Sequence, residues 1–158
     1  MNQKLKTLII CIAIPLAVGG LSAFLTRDSM ATFSQLNKPP LSPPGILFPI
    51  VWTILYTLMG IASYLVITND KPRAQINEAL LIYALQLGIN FFWSIFFFNL
   101  EWYLFSFFWL VLLWIFIFRT IQLFLPISQI AAYFMLPYLA WVTFAGYLNL
   151  GIWWLNRM

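Results

Sequence analysis

Residues 37–45 read NKPPLSPPG, and this segment separates the first two long apolar runs of the chain. Four of its nine residues are proline and one is glycine. Pro–Pro pairs favour extended polyproline conformations and cannot propagate a helix. We therefore predict a stiff, extended connection between two helices. Two interpretations are open for it: a lid that closes over neighbouring helices, or a plain rigid linker.

The composition of the rest of the chain is that of a membrane protein. Of 158 residues, 63% are hydrophobic and 8% are charged, whereas a soluble domain has about 25% charged residues. A soluble core of this size has no room for so much apolar surface, so we predict that the surrounding solvent is lipid. The expected fold class is an all-α integral membrane protein with a single domain, residues 1–158.

Charged or proline-rich joints divide the chain into five apolar segments. At a rise of about 1.5 Å per residue, each is long enough to cross a bilayer. The sequence therefore predicts a single bundle of five transmembrane helices with a long proline-rich loop at 27–45. An odd number of helices without a visible repeat does not suggest an inverted-repeat transporter. The predicted helices are at about 5–26, 46–67, 79–99, 102–123 and 128–152, and we expect Pro137 to interrupt the last of them.

The start of the chain allows two readings. Lys4 and Lys6 before an apolar run resemble a signal peptide, and GGLSA at 19–23 resembles a cleavage site. However, the run from Leu5 to Leu25 is long enough to span a bilayer, so we predict a retained first helix.

Basic residues predict the orientation of the bundle. Five helices put the two termini on opposite sides of the membrane. More basic residues then share the side of the N-terminus, which favours a cytoplasmic N-terminus in the cell membrane. That side has Lys4, Lys6, Lys71, Arg73 and Arg119, and the other has Arg27, Lys38 and Arg157.

Many catalytic groups are missing from the sequence. It has no histidine, and its four acidic residues lie in or beside the predicted loops. A single cysteine, Cys11, excludes an intramolecular disulfide and a cysteine metal cluster. We therefore expect no metal site, no required cofactor and no hydrolytic chemistry. The net charge of +4 comes from eight scattered basic residues, so nucleic-acid binding is not expected.

The third predicted helix has two distinct faces. Gln86, Asn90 and Ser94 recur every four residues and form a polar stripe, which we expect to face the bundle interior. Ala84 and Gly88 form a small-residue face, a pattern that lets helices approach closely in lipid. We expect this face to pack against a neighbouring helix or a second subunit. The amides either bond only to adjacent helices or also contact a ligand.

Two further helices carry aromatic residues at helical spacing. Such stripes are usually packing, but tryptophan and tyrosine have polar tips that need partners in lipid. Together with the amides, they suit a large, flat, mostly apolar ligand. The second helix stacks Trp52, Tyr56, Met59 and Ser63, and the fifth stacks Tyr138, Trp141, Ala145 and Leu148.

These motifs, in this order, resemble the translocator proteins, also called tryptophan-rich sensory proteins or peripheral benzodiazepine receptors, and in particular their bacterial members. The resemblance covers nearly the whole chain. It rests on Asn37-Lys-Pro-Pro-Leu-Ser-Pro-Pro-Gly45 followed by Phe48, Val51-Trp52 and Leu55-Tyr56, on Asn90-Phe-Phe-Trp-Ser94, and on Pro137-Tyr-Leu-Ala-Trp141 through Ala145 and Leu148-Asn149.

The resemblance implies a five-helix bundle, often dimeric, with a ligand cavity beneath the first loop. It implies binding of porphyrins such as protoporphyrin IX, as ligand or substrate, and of isoquinoline carboxamide or benzodiazepine drugs. Ala84 and Gly88 match the small-residue packing of the family's third helix. The implied ligand-binding residues are Pro44, Trp52, Tyr56, Asn90, Trp141, Ala145 and Leu148.

Three functions follow as alternatives. The first is porphyrin binding, extended to light- and oxygen-dependent porphyrin breakdown assisted by Trp52 and Trp141 as catalytic residues. The second is transport of porphyrins, lipids or sterols across the membrane. The third is a structural role through the small-residue faces. The sterol motif of animal members requires a tyrosine that the segment from Leu148 to Arg157 lacks, so dedicated sterol binding is less expected.

Overall fold

The computed structural model describes all of residues 1–158, and they form helices and no strands. Five helical segments are long and apolar enough to cross a membrane, which confirms the predicted all-α fold with five spanning helices. Three of these segments, Gln3–Ser34, Arg73–Asn99 and Gln129–Asn156, each contain more than one helix. The α-helices are α1 (Gln3–Thr26), α2 (Met30–Ser34), α3 (Leu47–Ile67), α4 (Arg73–Ser94), α5 (Tyr103–Phe124), α6 (Gln129–Phe134) and α7 (Leu136–Asn156).

The third span differs from its prediction at both ends. Helix α4 begins at Arg73 directly after Pro72, not near residue 79, because the polar residues 73–78 form its first turns. An apolar run does not reveal a helix start made of polar residues. At its other end, α4 continues into a π-helical turn, Ile95–Asn99.

The last span was predicted at 128–152 with an interruption at Pro137, and the structure has a break there. Helix α6 ends at Phe134, and α7 begins at Leu136 with Pro137 in its first turn. Proline has no N–H to donate, and the first turn is where a helix tolerates that loss. Helix α7 then runs past the predicted end to Asn156.

The connection predicted as a loop at 27–45 contains two helical turns. A 3₁₀ turn, Arg27–Ser29, leads into α2. The Lys38 ammonium donates to the carbonyls of Phe33 and Ser34, at 3.1 and 3.3 Å, and so caps the carboxyl end of α2. Residues 37–45 are non-helical, as the prolines predict. We call residues 37–45 the strap.

The spans pack in a ring. Helix α1 contacts α3 and α4, α4 contacts α5, and α5 contacts α7, while α6 contacts both α3 and α5. The backbones of α1 and α3 come close together at Gly60, where a Cβ atom would overlap the Cα of Ile12. Helix α7 itself has no extended packing against α3. The contacts of α6 with α3 therefore complete the ring before the break. After the break, a gap remains between α3 and α7.

This topology puts both the N-terminus and the α3–α4 connection at one end of the bundle, and the strap and the C-terminus at the other. It thus keeps the predicted grouping of basic residues. The cytoplasmic placement of the N-terminus stays a prediction.

Candidate functional site

An aromatic cluster lies between α3 and α7, below the strap. Trp52 stacks on Tyr56, with ring centroids 5.4 Å apart, and meets Tyr138 edge-on at 6.1 Å. Phe48 meets Trp141 edge-on at 5.9 Å. Phe48, Trp52 and Tyr56 are spaced four apart, so α3 presents them on one face. The fold therefore brings the two predicted aromatic stripes together.

A chain of hydrogen bonds connects this cluster to α4. The Tyr56 hydroxyl donates to Asn90 Oδ1 at 3.0 Å, and Asn90 Nδ2 donates to the Tyr138 hydroxyl at 2.6 Å. Tyr138 in turn donates to Gln86 Oε1 at 2.7 Å, and Gln86 Nε2 lies 3.9 Å from the Met59 sulfur. These five buried side chains link α3, α4 and α7 through polar contacts.

The chain explains the polar stripe of α4. Gln86 and Asn90 are 0% and 2% exposed, so they face the bundle interior as expected. Their amides bond to neighbouring helices, which was one of the two open interpretations. Contact with a ligand stays a prediction. Ser94, the third residue of the stripe, is half-buried and takes no part in the chain.

A second polar bridge lies nearer the strap. The Trp93 indole donates to Asn149 Oδ1 at 3.0 Å, and Asn149 Nδ2 donates to the Tyr103 carbonyl at 2.7 Å. This bridge joins α4, α7 and α5. The Trp93 ring stacks on Phe97, with centroids 5.1 Å apart, and makes no ring contact with the aromatic cluster.

The tryptophans differ in what their indole N–H groups do. Trp93, Trp109 and Trp114 each donate to a protein acceptor, at 3.0, 2.7 and 2.9 Å. Trp52 and Trp141 are half-buried, and no protein atom accepts a hydrogen bond from their indoles. The two tryptophans of the cluster thus retain donors for another molecule.

The strap is held against α7. The Tyr147 hydroxyl donates to the Pro40 carbonyl at 2.7 Å. Asn156 bonds both the N–H and the carbonyl of Asn37, at 3.0 and 2.8 Å. The Pro39 ring fills the space of a side chain at Gly151, where a Cβ would lie 2.6 Å from Pro39 Cγ.

Beside the cluster, a groove of about 450 Å³ opens on the outer surface between α3 and α7. Its walls are almost entirely apolar. It lies where the ring of spans is not closed by helix packing. The lining residues are Val51, Ile54, Leu55, Pro137, Ala140, Trp141 and Phe144.

The predicted ligand-binding residues do not all lie in one place. Ala145 packs half-buried against the core and Leu148 is buried, one and two turns along α7 from Trp141. Pro44 is exposed on the strap. Tyr138 belongs to a predicted aromatic stripe but was not among the predicted site residues, although it is fully buried and joins Asn90 to Gln86. Its position directly after Pro137 was the available signal.

Ala84 and Gly88 are both exposed on the outside of the bundle. They line a second apolar groove, of about 370 Å³, between α1 and α4, and a Cβ at Gly88 would meet no atom within 4 Å. The remaining lining residues are Ile14, Val18, Leu21, Leu87 and Phe91.

No three histidine, cysteine, aspartate or glutamate side chains lie close enough to ligate a metal ion. What the site offers chemically is flat aromatic surface, two free indole donors and a buried amide–phenol chain.

Comparison with known proteins gives a consistent result. A family model described as the TspO/MBR family matches residues 11–155. The tryptophan-rich protein TspO of Chlorobaculum tepidum is 40% identical over 157 residues, 99% of each chain. Protein CrtK of Rhodobacter capsulatus is 36% identical over 126 residues, 80% of this chain and 79% of that protein. The translocator protein of Bos taurus is 32% identical over 152 residues, 92% of this chain and 87% of that protein.

Proposed function

Because the chain belongs to the TspO/MBR family of multi-pass membrane proteins, we propose that its aromatic cluster binds porphyrins, with protoporphyrin IX as the reference ligand. Isoquinoline carboxamide and benzodiazepine-type molecules are proposed for the same site. These ligands share flat, mostly apolar rings and a few hydrogen-bond acceptors.

The free indole donors of Trp52 and Trp141 carry this proposal. In a lipid-surrounded site, an unpaired N–H costs about 1–3 kcal/mol. A ligand carbonyl or carboxylate that accepts from these donors removes that cost, and a flat ring gains stacking area on Trp52. Trp93, Trp109 and Trp114 have protein acceptors, and the other tryptophans without one, Trp102, Trp153 and Trp154, lie at helix ends. Trp52 and Trp141 differ from both groups, because their unpaired donors lie among the aromatic rings of one cluster.

The other predicted residues have supporting roles in the proposed site. Tyr56 and Asn90 fix the position of Trp52 through stacking and the hydrogen-bond chain. Ala145 and Leu148 are proposed to extend the site along α7, one and two turns from Trp141, and Pro44 belongs to the strap.

We expect the substitutions Trp52→Phe and Trp141→Phe each to weaken protoporphyrin IX binding about tenfold, since each removes a charge-assisted or neutral hydrogen bond of about 1.4 kcal/mol. Phenylalanine keeps an aromatic ring in place, so the loss reports mainly on the N–H. Binding is measured by absorbance titration of the purified protein in detergent, in darkness.

Trp114→Phe is the matched control, because its indole donates to Thr143 at 2.9 Å and does not belong to the cluster. Its affinity should equal that of the wild type. Equal affinity in all three variants would refute the roles of Trp52 and Trp141, and no saturable binding by the wild type would refute the proposed ligand class.

Porphyrin breakdown in light and transport of porphyrins, lipids or sterols stay predictions. Illuminating the same samples tests the first, through bleaching that depends on the protein.

We also propose that the chain forms a homodimer through the exposed Ala84/Gly88 face of α4. Small residues let two helices approach closely in lipid, where packing drives association. Gly88→Leu should therefore shift the protein toward monomer in light-scattering measurements in detergent. Gly20→Leu is the control, because Gly20 is exposed on α1 with no atom within 4 Å of its Cβ position. An unchanged molar mass in Gly88→Leu would contradict this dimer face.

A further inference from the structure

The strap is fastened to α7 at the end of the bundle where α3 begins. Three contacts to α7 hold it there: the Tyr147–Pro40 and Asn156–Asn37 hydrogen bonds and the packing of Pro39 on Gly151. Releasing the strap breaks three hydrogen bonds at once and exposes the surface of α7 that Pro39 covers. A ligand that enters from the water phase beside the strap therefore meets a segment that is fixed in place.

The side of the bundle between α3 and α7 has no such fixed segment. Helix α6 packs on α3, but after the break at Met135 the chain continues as α7, which packs on α5. The separation leaves the groove of about 450 Å³ between α3 and α7. Pro137, which sits in the first turn after the break, is one of its lining residues.

The lining of this groove suits the bilayer hydrocarbon and not water. Six of its seven residues are hydrophobic, and none is charged. All seven belong to α3 or α7, which are spanning segments. The apolar rings of a molecule dissolved in the membrane therefore enter the groove without leaving an apolar environment.

The groove is continuous with the aromatic cluster. Trp141 lines the groove and also contacts Phe48 of the cluster at 5.9 Å. Leu55 lines it directly beside Tyr56 on α3. Among the groove residues on α7, Ala140 has the smallest side chain, and it is exposed.

We propose that the groove between α3 and α7 is the entrance through which a flat, apolar ligand passes from the bilayer hydrocarbon to the aromatic cluster, while the strap stays fixed to α7. This inference rests on the proposed function, because it supplies the route to that same site. It assigns Ala140 to the route and not to the site: its small side chain keeps the passage open.

The test measures the association and dissociation rates of protoporphyrin IX with the protein in lipid nanodiscs, in darkness. A phenylalanine at Ala140 obstructs the passage without removing any contact from the bound state. Ala140→Phe should therefore slow association and dissociation by a similar factor, about tenfold, and leave the equilibrium affinity within a few-fold of wild type. Ala23→Phe, the same change at an exposed position of α1, is the matched control and should keep both rates.

A third variant distinguishes the two routes. Tyr147→Phe combined with Asn156→Ala removes the hydrogen bonds that hold the strap. If this variant binds and releases the ligand faster while Ala140→Phe keeps the wild-type rates, entry is under the strap and the lateral route is wrong. A large loss of affinity in Ala140→Phe, caused by faster dissociation, also overturns the proposal, because it places Ala140 in the site. If the wild type shows no saturable binding, both the proposed function and the route are refuted. If Ala140→Phe keeps the wild-type affinity and the wild-type association and dissociation rates, only the route is refuted.

Discussion

Replacing Gly60 with valine will lower the unfolding temperature of the protein in detergent by roughly 10 °C, which corresponds to a loss of about 3 kcal/mol for a chain of this size. The reason is the contact of α1 with α3. A Cβ at Gly60 would overlap the Cα of Ile12 and lie 2.7 Å from the Cys11 carbonyl oxygen. Both atoms are backbone, so no side-chain rotation relieves the overlap and the two helices must separate.

The control for this prediction is Gly20→Val on α1. Its Cβ position has no atom within 4 Å, so the same change in helix propensity occurs there without overlap. The two melting curves are compared in the same detergent by intrinsic fluorescence. Equal melting temperatures for the two variants would show that α1 and α3 do not meet at Gly60 as closely as the structure places them.

Replacing Asn90 with leucine will lower the stability of the protein by about 2–3 kcal/mol. In membranes a hydrogen bond between helices contributes only about 0.6 kcal/mol on average, so the lost bonds alone account for the smaller part. The larger part comes from the Tyr56 hydroxyl, which loses its acceptor in a buried position and costs about 1–3 kcal/mol. The measurement is a denaturant titration followed by fluorescence or circular dichroism.

A double-mutant cycle with Tyr56→Phe separates these two contributions. Phenylalanine removes the hydroxyl that Asn90→Leu leaves without an acceptor. We therefore expect the double variant to be no less stable than Asn90→Leu alone, which gives a coupling energy of about 1 kcal/mol or more. Strictly additive losses would mean that the Tyr56–Asn90 bond does not contribute to stability.

The helix assignment was predictable where the sequence signal is local. The spans at 3–26, 47–67 and 103–124 lie within a few residues of their predictions, because each is an uninterrupted apolar run between charged or proline-rich joints. The errors occurred where a helix departs from that rule. The polar start of α4 at Arg73 was taken as a loop, and the fifth span was predicted to end at residue 152, although α7 continues to Asn156.

The candidate site was predictable in its residue types and not in its connections. Helical spacing placed Trp52 with Tyr56 on one face and Gln86 with Asn90 on another, and the structure keeps both pairings. Spacing within a helix says nothing about which residue of another helix lies opposite. The position of Tyr138 between Asn90 and Gln86 therefore needed the fold, as did the docking of Tyr147 on the Pro40 carbonyl.

The sequence by itself determined that this chain is a membrane protein, that it crosses the membrane five times and that residues 37–45 cannot form a helix. These properties depend on composition and on proline chemistry within short stretches of chain. Only the tertiary structure decided that Trp52 and Trp141 keep unpaired donors while three other tryptophans do not, and that a groove stays open between α3 and α7. Both features depend on where helices that are distant in sequence pack against each other. Small residues such as Gly60 set these contact positions, and no local sequence pattern shows which residues of another helix will lie against them.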